Sequence, residues 1–170
     1  PYADQIRALL ANLAAQSQDE EDVHPLLRRR EVKKVEIVHI TPDRGLTGGL
    51  NTAVNRALAS FMVKQDTDVT VIAVGKKGRD FMVRYGANVR AVFIDLGDRP
   101  SITDVTPIAS LVMESYSQGE VDAVYLSYPR FVSTTVQNPA VVPLLPVVPA
   151  QLLAQDTVGY IYEPNSLVVL

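Results

Sequence analysis

The chain has 170 residues, a net charge of −3 at pH 7 and no cysteine. Its length suits a single domain with a sizeable core, and 47% of the residues are hydrophobic. The acidic balance argues against a general nucleic-acid binder, whose footprint is a basic patch. The absence of cysteine excludes disulfides, thiolate metal sites and a thiol redox switch. No apolar run is long enough to predict a membrane span.

Hydrophobic periodicity predicts alternating helices and strands along most of the chain. Helices are expected at 2–15, 50–64, 79–85 and 104–118. Strands are expected at 32–40, 69–74, 89–94, 121–128 and 158–162. The pieces 131–137 and 141–148 look extended but are rich in nearby proline, which indicates an edge strand or a bulge. This order predicts an α/β protein whose sheet mixes parallel and antiparallel pairs and carries helices on its faces.

The segment after the first predicted strand is the most informative one. Residues 42–51 read PDRGLTGGLN, and a helical pattern begins at Leu50. Glycines permit the sharp reversal that joins a strand to a helix in an α/β unit. Neither a GxGxxG nor a GxxxxGK[ST] spacing is present. The sequence therefore favours a tight turn over a phosphate-binding loop.

Candidate catalytic groups are few. His39 lies inside an apolar strand and is expected to be a half-buried, hydrogen-bonded ring. Asp95 and Asp98 follow a strand and could form a carboxylate pair, but turn aspartates are the favoured interpretation. The GKKG segment at 75–78 is interpreted as a solvated or partner-facing turn, and the RRR run at 28–30 as a solvated charge run. We expect no catalytic, cofactor-binding or metal-binding residue.

Residues 42–51 resemble the corresponding segment of the gamma subunit of F-type ATP synthases, the rotating central stalk, where the family carries an SDRGLCGGLN-like segment. Pro42 and Thr47 stand where that family usually has serine and cysteine. Further matches follow in family order and together cover most of the chain. They are AVGKKGRDF at 73–81, DAVYLSYPRFVST at 122–134, LLP at 144–146 and YIYEP at 160–164.

This resemblance implies an incomplete Rossmann-like fold without a nucleotide. It further implies that residues 1–170 are one globular domain of the rotor foot, truncated at both ends, because no sustained heptads for the family's coiled-coil shaft are visible. The apolar face formed by Ile6, Leu9, Leu10 and Leu13 is then expected to lack its shaft partner. It should pack on the C-terminal run 167–170 or mediate a dimer.

The resemblance also implies a non-catalytic subunit that transmits torque between the membrane c-ring and the catalytic α/β hexamer. Its partners would be the epsilon subunit, the c-ring and the α and β subunits, without a cofactor or nucleic acid. The membrane would be reached only through the c-ring, on the cytoplasmic face of a bacterial plasma membrane. The lever of the β subunit would contact Asp43, Arg44, Gly45, Leu46 and Thr47.

A second partner-binding segment is implied for Tyr160, Tyr162 and Glu163, near epsilon or the c-ring. Two other functions remain open from the sequence. One is a small α/β nucleotide-binding enzyme or sensor that uses the glycine turns at 45–49 and 75–78. The other is a freestanding regulatory adaptor.

Overall fold

A computed structural model of the chain describes residues 2–15, 30–43, 50–96, 101–133 and 136–146. Within these ranges four helices and five strands form. In chain order they are α1 (Tyr2–Ala15), β1 (Lys34–Ile40), α2 (Leu50–Val63), β2 (Asp68–Val74), α3 (Lys76–Tyr85), β3 (Asn88–Phe93), α4 (Ile102–Ser117), β4 (Ala123–Ser133) and β5 (Val136–Leu145). The strand predicted at 158–162 lies outside the described residues.

The five strands form one mixed sheet in the order β3-β2-β1-β4-β5. β1 pairs in parallel with both β2 and β4, β2 pairs in parallel with β3, and β4 pairs antiparallel with β5. The predicted α/β sheet of mixed pairing is therefore confirmed. β5 lies at an edge and contains Pro139 and Pro143, as the proline pattern indicated.

Helices cover both faces of the sheet. α1 and α4 pack on one face, while α2 and α3 pack on the other. The apolar residues of β1 enter both cores: Val38 and Ile40 enter the first, and Val35 and Ile37 enter the second. A central strand that is covered on both faces has no side that faces solvent, so its apolar residues do not simply alternate with polar ones. None of the described helices is both long and apolar enough to cross a bilayer.

Part of the apolar face of α1 is buried within the chain. Ile6 and Leu10 are fully buried in the core that they share with Val105 and Val112 of α4. For these two residues the expectation of an uncovered face is wrong, because α1 lies alongside α4. The run 167–170 lies outside the described part of the chain.

α3 begins three residues before its predicted start. Lys76, Lys77 and Gly78 form its first turn, and Gly78 is buried. Two glycines and two adjacent lysines predict a turn, because glycine is a poor helix former. Contacts with the end of β1 override that local preference. The far end agrees with the sequence, since Gly86 adopts the left-handed conformation that ends a helix.

Candidate functional site at the carboxyl edge of the sheet

The parallel strands end at a common edge, where a cavity of about 470 Å³ opens. α/β sheets usually bind their ligands outside the carboxyl ends of the strands, so this edge is the first place to search for a site. The cavity is lined by the ends of β1 to β3, by Pro129 of β4 and by Tyr2 of α1. The lining residues are Tyr2, Ile40, Thr41, Pro42, Asp43, Val74, Gly75, Lys76, Phe93, Asp95, Leu96 and Pro129.

The carboxylate of Asp43 joins three strand ends. Its Oδ1 accepts a hydrogen bond from the backbone N–H of Lys76, with an N···O distance of 2.9 Å. Its Oδ2 accepts one from the backbone N–H of Asp95 at 3.0 Å. These two residues follow β2 and β3, whereas Asp43 follows β1. One side chain therefore ties together the exits of three adjacent strands.

The other residues after β1 occupy the remaining free N–H groups in the first turn of α3. The Thr41 hydroxyl oxygen accepts a hydrogen bond from the N–H of Gly78 at 2.7 Å. The carbonyl oxygen of Pro42 accepts one from the N–H of Lys77 at 3.3 Å. Together with the Asp43 contact, these bonds satisfy the three amides that would otherwise attract an anion to a helix N-terminus. The anion position at α3 is thus filled by the chain's own carboxylate.

Close packing explains the two glycines of the GKKG segment. A Cβ added to Gly75, whose φ is +108°, would lie 1.8 Å from the carbonyl oxygen of Thr41. A Cβ on Gly78 would lie 2.7 Å from Cδ2 of His39 and 2.8 Å from Oγ1 of Thr41. Both positions exclude a side chain because β1 passes directly beside them. The glycines follow from this contact and need no phosphate to account for them.

Lys76 and Asp95 form an ion pair at the rim, with 2.8 Å between Nζ and Oδ1. The hydrogen bond and the charge of Asp95 raise the pKa of Lys76, whose ammonium group is exposed. Asp95 adopts φ of 61°, the left-handed conformation that aspartate tolerates in turns. Its interpretation as a turn aspartate is confirmed, and its carboxylate forms the ion pair with Lys76. Asp98 lies outside the described residues.

His39 is buried behind this edge and uses both ring nitrogens. Nδ1 lies 2.9 Å from the Ser127 hydroxyl oxygen, and Nε2 lies 2.7 Å from the Asn55 amide oxygen. Burial lowers the pKa of His39 to about 4, against a smaller opposing effect of the Asn55 hydrogen bond. The neutral ring donates from Nε2, since an amide oxygen can only accept, and Nδ1 accepts from Ser127. His39 therefore joins β1, α2 and β4 and has no free nitrogen for catalysis or metal binding.

The contacts of Arg30 contradict the expectation that residues 28–30 are a solvated charge run. Its Nε lies 2.7 Å from Oδ1 of Asp122, and its guanidinium lies 4.3 Å above the ring of Tyr116. Burial alone would raise the pKa of Asp122, but hydrogen bonds from Arg30 and from the amides of Lys33 and Lys34 lower it. The solvated-run interpretation is wrong for Arg30, because a charge run says nothing about a partner 92 residues away. The two arginines before it lie outside the described ranges.

Sequence reasoning also missed a buried charge near the opposite edge. Glu36 in β1 has no exposed surface, and its Oε2 lies 2.6 Å from Nη1 of Arg90 in β3. Thr70 donates a second hydrogen bond at 3.2 Å, and Arg90 also donates to the Ser115 hydroxyl. The sequence contained a signal for this pair, since a glutamate among the apolar residues of a buried strand requires a partner.

Among the partner-binding residues expected from the sequence, Asp43 alone lies in the described part of the chain. Arg44, Gly45, Leu46 and Thr47 fall outside it, as do Tyr160, Tyr162 and Glu163. Among the residues that it describes, no group of three or more His, Cys, Asp or Glu side chains is placed to hold a metal ion.

The sheet order and this edge define an α/β domain of Rossmann-like topology whose usual anion position is occupied by its own side chain. A family model described as ATP synthase matches residues 1–170. The chain is 46% identical over 170 residues to the ATP synthase gamma chain of Dehalococcoides mccartyi strain BAV1, and 42% identical over 171 residues to that of Pelotomaculum thermopropionicum. The chain belongs to the family of ATP synthase gamma chains.

Solved structures agree on the fold. The central stalk and c-ring of the Tetrahymena thermophila mitochondrial ATP synthase gives a TM-score of 0.56 at 18% identity, over 85% of this chain and 69% of that one. The rotor of the Euglena gracilis enzyme gives 0.52 at 23% identity, over 91% and 58% of the two chains. The match to the two bacterial relatives covers all of this chain and 60% of each relative. This chain thus spans about three fifths of their length.

Proposed function

We propose that residues 1–170 form one globular domain in the foot of the ATP synthase rotor. In this role the domain transmits torque between the membrane c-ring and the catalytic α/β hexamer, binds the epsilon subunit and contributes no catalytic residue. The observation that carries the proposal is the family match along all 170 residues. The bacterial relatives favour a location on the cytoplasmic face of a bacterial plasma membrane, reached through the c-ring.

Torque transmission requires a body that deforms little under load, and several contacts support this role. Close-packed interiors transmit strain, and both faces of this sheet carry such a core. Polar contacts add cross-links between strands: Asp43 at the carboxyl edge, His39 behind it and the Glu36–Arg90 pair towards the other edge. Each joins at least two strands or a strand and a helix.

The proposed contact with the β lever is the turn from Asp43 to Thr47. Both oxygens of Asp43 already accept backbone hydrogen bonds, so its carboxylate suits an internal role. We assign the direct contact to Arg44 and the three residues after it. Arg44 carries a permanent charge on a long side chain, which suits a contact with acidic groups that forms and breaks during rotation. Tyr160, Tyr162 and Glu163 are assigned to epsilon or the c-ring.

Arg44→Ala in the complete gamma chain of the assembled enzyme tests this proposal. An exposed ion pair contributes about 0–1 kcal/mol, so we expect a partial loss of ATP turnover, up to about fivefold. Arg56→Ala is a matched control, since Arg56 is an exposed arginine on α2. Its turnover should equal that of the unmodified enzyme. Equal turnover in both variants would remove Arg44 from the contact.

The nucleotide-binding alternative has less support. Its glycines at 75 and 78 are explained by the approach of β1. The amides that would bind a phosphate at α3 are engaged by residues 41–43. The second glycine turn, at 45–49, lies outside the described residues and adds no observation in favour of a nucleotide.

A further inference from the structure

Asp43 is the last described residue before the glycine-rich segment, and its carboxylate lies beside the N-terminus of α3. Its carboxylate faces the N-terminus of α3, where a helix carries a partial positive charge. Lys76, which donates its N–H to Asp43, also carries an ammonium group at the same edge. A negative charge is therefore the matching group at this position.

The two bonds of Asp43 reach far along the chain. Lys76 lies 33 residues away and Asp95 lies 52 residues away, and each follows a different strand. The carboxylate uses one oxygen for each amide, so its plane is fixed by two anchors. Such hydrogen bonds are charge-assisted and stronger than those of a neutral amide. The backbone at residue 43 is consequently held relative to β2 and β3 as well as to β1.

We infer that Asp43 is a positioning residue that takes the place of a bound anion at α3 and thereby holds the chain at residue 43, where the 44–49 segment begins, against the ends of β2 and β3. The inference rests on the proposed function in one respect, namely that this segment meets the β subunit. It reassigns Asp43 itself from partner contact to internal support. A neutral side chain of the same shape cannot replace it, because asparagine would point an N–H group at one of the two amides.

Hydrogen exchange of the complete gamma chain in the assembled enzyme tests the inference. The variants are Asp43→Ala and Asp43→Asn, with Asp95→Asn as the control. Asp95→Asn removes the ion pair with Lys76 but keeps the backbone N–H that Asp43 uses, and asparagine tolerates the left-handed backbone at this site. The readout is exchange in peptides that cover 44–49, compared with peptides from α4.

A charge-assisted hydrogen bond changes an equilibrium by about tenfold or more, so exchange at 44–49 should rise by at least about tenfold in Asp43→Ala. Asp43→Asn should give an intermediate increase, because its carbonyl oxygen can still accept from one amide. The Asp95→Asn control and the α4 peptides should stay near the unmodified rate. If Asp43→Ala does not assemble, the nearly isosteric Asp43→Asn supplies the measurement.

Unchanged exchange at 44–49 would overturn the inference. An equal increase in α4 would also overturn it, because Asp43 would then support the whole fold and not the turn. Faster exchange confined to 44–49 with unchanged ATP turnover would uphold the positioning role and contradict the assignment of this turn to the β contact. The two ideas can therefore fail separately.

Discussion

The carbonyl oxygen of Thr41 occupies the space that a side chain on Gly75 would need, 1.8 Å from the position of its Cβ. The same two segments are joined by a hydrogen bond of 2.8 Å from the N–H of Thr41 to the carbonyl oxygen of Val74. The exits of β1 and β2 are therefore in direct backbone contact. This contact brings Asp43 within reach of the first turn of α3.

Gly75→Ala should destabilise the domain strongly, because the clash involves backbone that cannot rotate away and φ is +108°. We expect a loss of about 3 kcal/mol or more in the free energy of unfolding, measured by urea titration. Gly86→Ala is the matched control, since Gly86 also has positive φ but nothing lies within 4 Å of its added Cβ. That variant should lose only about 1–2 kcal/mol. Similar losses in both would contradict the close approach.

Arg90→Ala should leave the carboxylate of Glu36 buried without its cation. Removing one partner of a buried pair typically costs about 3–5 kcal/mol, and the partial exposure of Arg90 places our expectation near the lower end. Glu120→Gln removes an exposed contact to the same arginine, 3.4 Å long, and should cost less than about 1 kcal/mol. Adding Glu36→Gln to Arg90→Ala should recover part of the loss. No recovery would show that Arg90 acts through packing alone.

Acid should weaken the domain through His39. Its pKa is lowered from 6.5 to about 4 in the folded chain, so the folded state binds this proton less readily than the unfolded state. The contribution of the neutral His39 ring to the free energy of unfolding is fully present above pH 6.5 and declines as the pH falls towards 4. The shift corresponds to roughly 3 kcal/mol. His39→Gln should remove this pH dependence. The difference in the free energy of unfolding between the unmodified protein and the variant, measured by urea titration, should therefore shrink as the pH falls from 6.5 towards 4. Parallel curves for the two proteins would contradict it.

Replacement of both Tyr160 and Tyr162 by serine tests the second proposed contact. If the rings meet epsilon or the c-ring, association of those subunits should weaken while the melting temperature changes little, since tyrosine suits interfaces. The competing expectation is that the rings fill the core of the domain itself. In that case the melting temperature should fall by several degrees and the folded fraction should still assemble. Phenylalanine at both positions is the control that retains the apolar area.

Hydrophobic periodicity was sufficient to predict the helices and strands whose structure follows from their local sequence. The apolar run ending at Ile40 and the glycine at position 86 both predicted what the structure shows. α3 was harder, because its first turn depends on contact with Thr41, which no local pattern reports. Arg30 and Arg90 were missed for a related reason: their acidic partners lie 92 and 54 residues away. The role of Asp43 likewise depends on two distant amides, so its sequence neighbours pointed only to a turn.

The two outer strands of the sheet differ in how they meet solvent. β5 contains two prolines, which offer no N–H to a further strand. β3 carries Arg90, whose guanidinium turns towards Glu36 of β1. Charges and prolines at sheet margins discourage pairing with a foreign strand. The two outer strands of the described sheet are therefore poor templates for edge-to-edge aggregation between copies of the chain.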